Sequence, residues 1–138
     1  MTKKLLPPRS ATMKEFRANA TRTVEKASKD SGPLYLKRHG IVVAIIVTPS
    51  WAWGITDSLV EKGEDFIRGK TYAFGSLKLR KDGSSLSLDL LSGEKSIIWV
   101  TKYYEDTGAL VSPTLLDELL IACPMLKKYD WSEIKKAS

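Results

Sequence analysis

Basic side chains recur at helical spacing near the start of the chain. Lys14 and Arg17 are three positions apart and Thr21 follows four positions later, so one helix would present all three on one side. Lys37 and Arg38 stand together just before a glycine turn. Lysines bind phosphate oxygens, and an arginine can also pair bidentately with a guanine edge. These residues are therefore candidates for contact with nucleic acid.

The distribution of charge supports a polyanionic partner. The net charge is +6, and residues 1–50 hold 10 Lys and Arg against 3 Asp and Glu, whereas residues 71–138 hold 9 of each. A concentrated basic region is typical of proteins that bind nucleic acid. A solvated basic surface without a partner is the alternative, and charge alone does not separate the two.

Other chemistries lack the residues they need. Cys123 is the single cysteine and His39 the single histidine, which excludes an internal disulfide and the usual zinc-ligand sets. A Ser-His-Asp or Cys-His triad would have to use His39, in the predicted turn. No phosphate-binding glycine loop is present in the sequence. The spacing of the later carboxylates does not indicate acid–base or metal chemistry; these carboxylates are Asp82, Asp89, Glu94, Glu105 and Asp106. We predict that the chain is not an enzyme and has no metal or cofactor.

No stretch of the sequence predicts a membrane segment. The longest apolar run, Ile41–Val47, has seven residues, and a span needs about 20. The residues after Met1 include lysines but no apolar signal region. We expect a cytoplasmic protein that does not bind membranes, with residues 1–8 as a flexible lead-in.

The first half predicts two helical segments, a hairpin and a third helix. An apolar stripe at steps of three and four predicts an amphipathic helix that Thr12 caps and that Asn19 breaks, with Asn19 either a cap or a base reader. Residues 34–37 and Ile41–Val47 predict a hairpin around Gly40, with the second strand buried on both faces. Thr48-Pro49-Ser50 predicts the next helix start. The stripe members are Met13, Phe16, Ala20, Val24 and Ala27.

The second half predicts a separate β-rich unit. Residues 72–81, 84–91 and 95–103 alternate apolar and polar side chains between turn sequences, which indicates a three-stranded antiparallel meander. Asp106-Thr107-Gly108 is predicted to be an exit loop. Ser112 and Pro113 begin a helix that Pro124 ends, and a capped helical turn follows near Trp131. Cys123, on the apolar side of that helix, is predicted to be a buried small hydrophobe.

The order of features in residues 9–60 resembles the DNA-binding domain of the Phd/YefM family of antitoxins. That domain carries an arginine, a small residue and an asparagine on its first helix, then a strand with a basic end, a glycine turn and an apolar strand containing alanine. The matching residues here are Arg17, Ala18, Asn19, Lys37, Arg38, Gly40 and Ala44. Val42 departs from the proline that family members often have nearby.

The resemblance implies a homodimer that binds a palindromic operator, neutralises a toxin protein and represses its own operon. DNA contacts would come from Arg9, Lys14, Arg17, Asn19, Thr21, Lys37 and Arg38. The core or dimer interface would include Met13, Phe16, Val24, Val43 and Ile45. A stand-alone regulator without a toxin, and a protein-binding inhibitor that does not bind DNA, are the alternatives.

The resemblance does not extend to the second half, which in the family is a short segment that folds onto a toxin. We therefore predict an α+β chain with a DNA-binding and dimerisation domain at residues 9–65. A small antiparallel β-meander with a C-terminal helix would follow at residues 70–138. This unit could neutralise a toxin, sense an effector, extend the dimer or serve only as a structural appendage. Candidate toxin contacts are Leu116, Leu119, Leu120, Tyr129 and Trp131.

Overall fold

The computed structural model describes residues 5–61, 71–75, 97–102 and 105–137. The strands are β1 (Arg9–Thr12), β2 (Leu34–Arg38), β3 (Ile41–Val47), β4 (Thr71–Gly75), β5 (Ile97–Lys102) and β6 (Glu105–Val111). The α-helices are α1 (Met13–Ala18), α2 (Ala20–Glu25), α3 (Pro49–Glu61), α4 (Leu116–Ala122) and α5 (Ser132–Ala137). Two 3-10 turns, Pro113–Leu115 and Pro124–Lys128, flank α4. No helix in these ranges is long and apolar enough to cross a membrane.

The described strands form one sheet in the order β1-β2-β3-β6-β5-β4. The inner pairs β2–β3, β3–β6 and β5–β6 are antiparallel, whereas β1 runs parallel to β2 and β4 runs parallel to β5. Mixed helix and sheet agrees with the predicted α+β class at this coarse level. The sheet crosses the predicted domain boundary, because β3 of the first half pairs with β6 of the second.

The predicted hairpin is confirmed, and its turn has only two residues. His39 and Gly40 have φ values of 52° and 78°, and a positive φ at both turn positions is the mark of the type I′ turn that suits a twisted hairpin. The prediction of a fully buried second strand is wrong for its start, since Ile41 is 62% exposed. The reason is that β6 pairs with β3 only from Ile45 to Val47, so the start of β3 extends beyond the sheet's centre.

The predicted meander is wrong. β4 and β5 are direct parallel neighbours, and in a meander the first and third strands would be separated by the second. Residues 84–91, the predicted middle strand, lie outside the described residues. The segment predicted as an exit loop is part of β6, which pairs with both β3 and β5. Its Gly108 lies against α2: a Cβ there would approach the Val24 Cβ to 3.0 Å.

The sheet is the middle of three layers. Side chains alternate along each strand, so β2 sends Leu34 and Leu36 to one face and Tyr35 to the other. The first face packs against α1 and α2 through Phe16 and Val24. The second face packs against α3, α4 and the C-terminal segment through residues such as Ile55, Leu119 and Trp131. Both apolar clusters draw on residues from before and after the predicted boundary, which itself falls in the undescribed residues 62–70.

The lead-in is held where it is described. Leu6 pairs in parallel with Tyr129, with the Leu6 amide donating to the Lys128 carbonyl at 3.2 Å and the Asp130 amide donating to the Leu6 carbonyl at 2.8 Å. The lead-in predicted to be flexible is thus paired with the C-terminal segment at Leu6, and its residues 1–4 lie outside the described residues. The physical reason is that the C-terminal segment offers the unpaired backbone groups that Leu6 needs.

Candidate nucleic-acid interface

The predicted DNA-contacting elements meet at one end of the sheet. Thr12 ends β1 beside Lys37 of the parallel strand β2, and α1 begins at the next residue. One residue further along β2, Arg38 leads into the two-residue turn. We call this region, residues 12–18 and 38–41, the hairpin end. Sheet register thus brings a helix start and a turn together although they are more than 20 residues apart in sequence.

Helix α1 presents two cations outward, as predicted. The Thr12 hydroxyl accepts a hydrogen bond from the Glu15 amide at 3.1 Å and so begins the helix. Met13 and Phe16 are buried against the sheet, and this leaves Lys14 and Arg17 exposed. Arg38 is also exposed, and the alternation along β2 puts it on the sheet face that α1 covers.

Thr21 does not share that exposed side. It is 5% exposed, and its hydroxyl is buried without a hydrogen-bond partner. The spacing that places Thr21 beside Lys14 and Arg17 runs through Asn19, where a break is also predicted. Asn19 has extended backbone angles, φ −159° and ψ 90°, which end α1 and restart the helical phase in α2. Because of that break, spacing counted from Arg17 no longer predicts which way Thr21 points.

Asn19 and Arg9 have structural partners. The Asn19 side-chain oxygen accepts from the Arg22 amide at 3.0 Å, so of its two predicted roles the geometry is that of a helix cap. The Arg9 guanidinium donates to the Lys26 carbonyl at 2.6 Å, at the C-terminal end of α2. Both side chains are engaged within the α1–α2 layer.

Lys37 points away from α1. Its ammonium lies 2.8 Å from the Glu133 carboxylate of α5 and 5.7 Å from the centre of the Tyr35 ring. The predicted pair therefore separates, because neighbouring residues of a strand face opposite sides of a sheet. Lys14 and Arg17 lie on α1 and Arg38 lies on the sheet face that α1 covers, whereas Lys37 contacts the opposite layer.

Tyr35 is the described residue whose ionisation the surroundings change most clearly. Burial raises the pKa of its hydroxyl to about 12, and the nearby negative charges of Glu133 and Asp130 add to the increase. The hydroxyl donates to the Asp130 carbonyl at 3.1 Å, and the ring packs edge-on against Trp131 with centroids 5.7 Å apart. Tyr35 thus stays neutral and anchors the C-terminal segment on β2.

The predicted core residues are internal in the single chain. Met13, Phe16 and Val24 pack on the α1–α2 face, where Val43 is partly buried beside them, and Ile45 packs on the other face. Burial within one chain accounts for these five side chains without a dimer interface.

The candidate toxin contacts are also internal. Leu116, Leu119 and Trp131 are buried in the core between α4 and the sheet, and Leu120 and Tyr129 are partly buried against the same cluster. The apolar stripe of α4 therefore faces the chain's own sheet, and contact of these residues with a toxin stays a prediction. Cys123 is buried as predicted, and burial raises the pKa of its thiol.

Two further observations complete the site. Within the residues that the structure describes, no group of three His, Cys, Asp or Glu side chains is arranged to hold a metal ion. Thr23 is a further residue of this region that no sequence pattern above indicates: its buried hydroxyl lies 3.2 Å from the Glu15 carbonyl and 2.8 Å from the Asn19 carbonyl. A threonine four residues after a capping asparagine is the signal that could have indicated it.

Comparison of the chain with protein-family models, curated proteins and solved structures found no match.

Proposed function

We propose that this chain binds double-stranded DNA through the hairpin end and regulates transcription. The observation that carries the proposal is that Lys14, Arg17 and Arg38 are all exposed, the first two on the helix that begins beside the end of β2 and the third at that strand end. The concentration of positive charge in the first 50 residues supports the same partner.

The three cations suit different parts of a duplex. Arg17 lies on the last turn of a short exposed helix and can pair with a guanine edge, while Lys14 and Arg38 contact phosphates on either side. A homodimer would present two such sets to a palindromic site, and its half-site spacing would follow from the distance between the two hairpin ends.

The resemblance to the Phd/YefM antitoxins adds a second candidate function, neutralisation of a toxin protein. The burial of Leu116, Leu119 and Trp131 within the chain favours the stand-alone regulator, because these side chains already have apolar partners. A toxin would need another surface. Co-expression with the product of the neighbouring reading frame, followed by copurification, separates the two functions.

Fluorescence anisotropy with the DNA upstream of the chain's own gene tests DNA binding. The four phosphate contacts of a dimer, from Lys14 and Arg38 of each subunit, give a slope of log K against log salt of about −3.6. Arg17→Ala should weaken DNA binding by about 1–3 kcal/mol and reduce the preference for one DNA sequence over another. Arg38→Ala should lower the affinity for all DNA sequences alike and make the salt slope of the dimer shallower by about 2.

Lys127→Ala is the matched control. Lys127 is equally cationic and exposed, but it lies on the 3-10 turn that covers the opposite face of the sheet. It should leave affinity unchanged within twofold. Binding that ignores salt, or an equal loss in all three variants, would contradict the proposed interface, and no binding at all would favour the inhibitor that does not bind DNA.

A further inference from the structure

A polar junction joins α1 to α2 through a single residue. The Asn19 amide donates to the Glu15 carbonyl at 3.1 Å, and the Thr23 amide donates to the Asn19 carbonyl at 3.0 Å. The buried Thr23 hydroxyl sits between these two carbonyls, at 3.2 Å and 2.8 Å. Thr23 therefore touches both helices at the point where the chain turns from one into the other.

The junction matters because α1 is short. It has six residues, and isolated helices below about 12–15 residues are marginal in water, so contacts at its two ends determine where it points. Thr12 fixes the start of α1 beside Lys14. Asn19 and Thr23 fix its end, two residues after Arg17. A second contact between the helices is the Lys26–Glu15 ion pair at 3.5 Å. It contributes less, because both side chains are almost half exposed and water screens their charges.

Building on the proposed function, we propose that Thr23 is a positioning residue for DNA recognition: its hydroxyl holds the end of α1 on α2 and thereby sets the direction of Arg17. Thr23 is buried and does not itself touch DNA. Its effect passes through Arg17 more than through Lys14, because Lys14 is held by the separate cap at Thr12.

Two substitutions at this position separate the hydroxyl from the side-chain shape. Thr23→Val keeps the volume and removes the hydroxyl, and Thr23→Ser keeps the hydroxyl and removes a methyl group. We expect Thr23→Val to weaken DNA binding about fivefold, the size of one lost hydrogen bond, and Thr23→Ser to restore most of the affinity. Thermal unfolding of both variants checks that each is folded at the assay temperature.

A double-mutant cycle distinguishes positioning from a general structural role. The fivefold loss from Thr23→Val should disappear when Arg17 is already alanine and persist when Lys14 is alanine. A loss of the same size in both backgrounds would overturn the inference, as would an affinity in Thr23→Val equal to that of the unaltered chain.

Amide hydrogen exchange without DNA keeps the inference testable if the proposed function fails. Thr23→Val should speed exchange at the Asn19 amide about fivefold, and Thr23→Ser should not. Unchanged exchange in Thr23→Val overturns the positioning role whether or not DNA binds. If Thr23→Val speeds exchange at the Asn19 amide but the chain binds no DNA, then the Thr23 hydroxyl does hold α1 on α2. Only the link from Thr23 to DNA recognition would be rejected.

Discussion

The two helical layers of this protein are held in different ways. The layer of α1 and α2 has two six-residue helices, and polar contacts at Thr12, Asn19 and Thr23 determine where they begin and end. The layer of α3, α4 and the C-terminal segment has a 13-residue helix and packs the rings of Trp51 and Trp131 against the sheet. One layer depends on caps and the other on apolar burial.

This difference matches the proposed roles of the two layers in DNA binding and in stability. Short capped helices leave a large fraction of their residues exposed, so the α1–α2 layer can present Lys14 and Arg17 while only Met13 and Phe16 anchor α1. The opposite layer buries most of its apolar stripe and so contributes more to stability. A single fully buried side chain, however, can be compared between the layers: Phe16 and Leu119 are both 0% exposed, so we expect their truncation to affect stability alike but DNA binding differently.

The largest expected effect comes from one apolar truncation in each layer. Phe16→Ala and Leu119→Ala both remove fully buried side chains, and each should lower the free energy of unfolding by about 3–4 kcal/mol in urea titrations. Only Phe16→Ala should also weaken DNA binding of the folded protein, by more than about tenfold, because Phe16 holds the helix that carries Arg17. An equal loss of affinity in Leu119→Ala would remove the distinction between the layers.

A pair of glycines tests how tightly the C-terminal segment closes on the loop before β2. Gly32 and Gly40 have φ values of 83° and 78°, but a Cβ on Gly32 would collide with the Tyr129 hydroxyl, whereas nothing lies within 4 Å of a Cβ on Gly40. Gly40→Ala should cost about 1 kcal/mol for backbone strain alone, and Gly32→Ala about 3 kcal/mol. Equal costs in chemical denaturation would show that Tyr129 moves aside freely.

The ionisation of Tyr35 gives the opposite layer a dependence on alkaline pH. The pKa of its hydroxyl is raised from 10.0 to about 12 in the folded chain, so between these values the unfolded chain releases the proton first. The free energy of unfolding should therefore fall as pH rises from 10 to 12, and Tyr35→Phe should show a shallower fall. The raised pKa of the buried Cys123 thiol lowers stability at alkaline pH in the same way in the unaltered chain and in Tyr35→Phe. The difference between their two pH profiles therefore reports on Tyr35.

The smallest effect should come from the ion pair between Lys37 and Glu133. Both side chains are partly exposed, so Glu133→Gln should change the free energy of unfolding by less than about 0.5 kcal/mol. The same variant should lower the pKa of Tyr35 slightly, since Glu133 contributes to its increase. A change above 1 kcal/mol would mean that Lys37 binds the C-terminal segment more firmly than an exposed pair does.

Features encoded by neighbouring residues could be predicted from the sequence. The Thr12 cap, the break at Asn19, the turn at Gly40 and the helix start at Pro49 each depend on the chemistry of a few adjacent positions, and all are observed. The grouping of exposed Lys14 and Arg17 followed from the same local rules.

Features that depend on distant pairing could not be predicted in this way. The sequence Asp106-Thr107-Gly108 has turn chemistry, yet it lies in β6 because it pairs with Val100 and Thr101 of β5. The parallel pairing of β4 with β5 has no local signal either. The error at Thr21 has a different cause: its spacing is counted through Asn19, and one extended residue changes the helical phase of every later position.

The position of β3 at the middle of the sheet has a consequence for synthesis of the chain. Ile45–Val47 precede their β6 partners by more than 60 residues. At a translation rate of about 5–20 residues per second, the edge of β3 that pairs with β6 therefore stays unpaired for several seconds. An unpaired edge of this kind recruits strands from other chains. We therefore expect a nascent chain stalled before residue 105 to aggregate more readily than the complete chain, in which β6 covers this edge of β3.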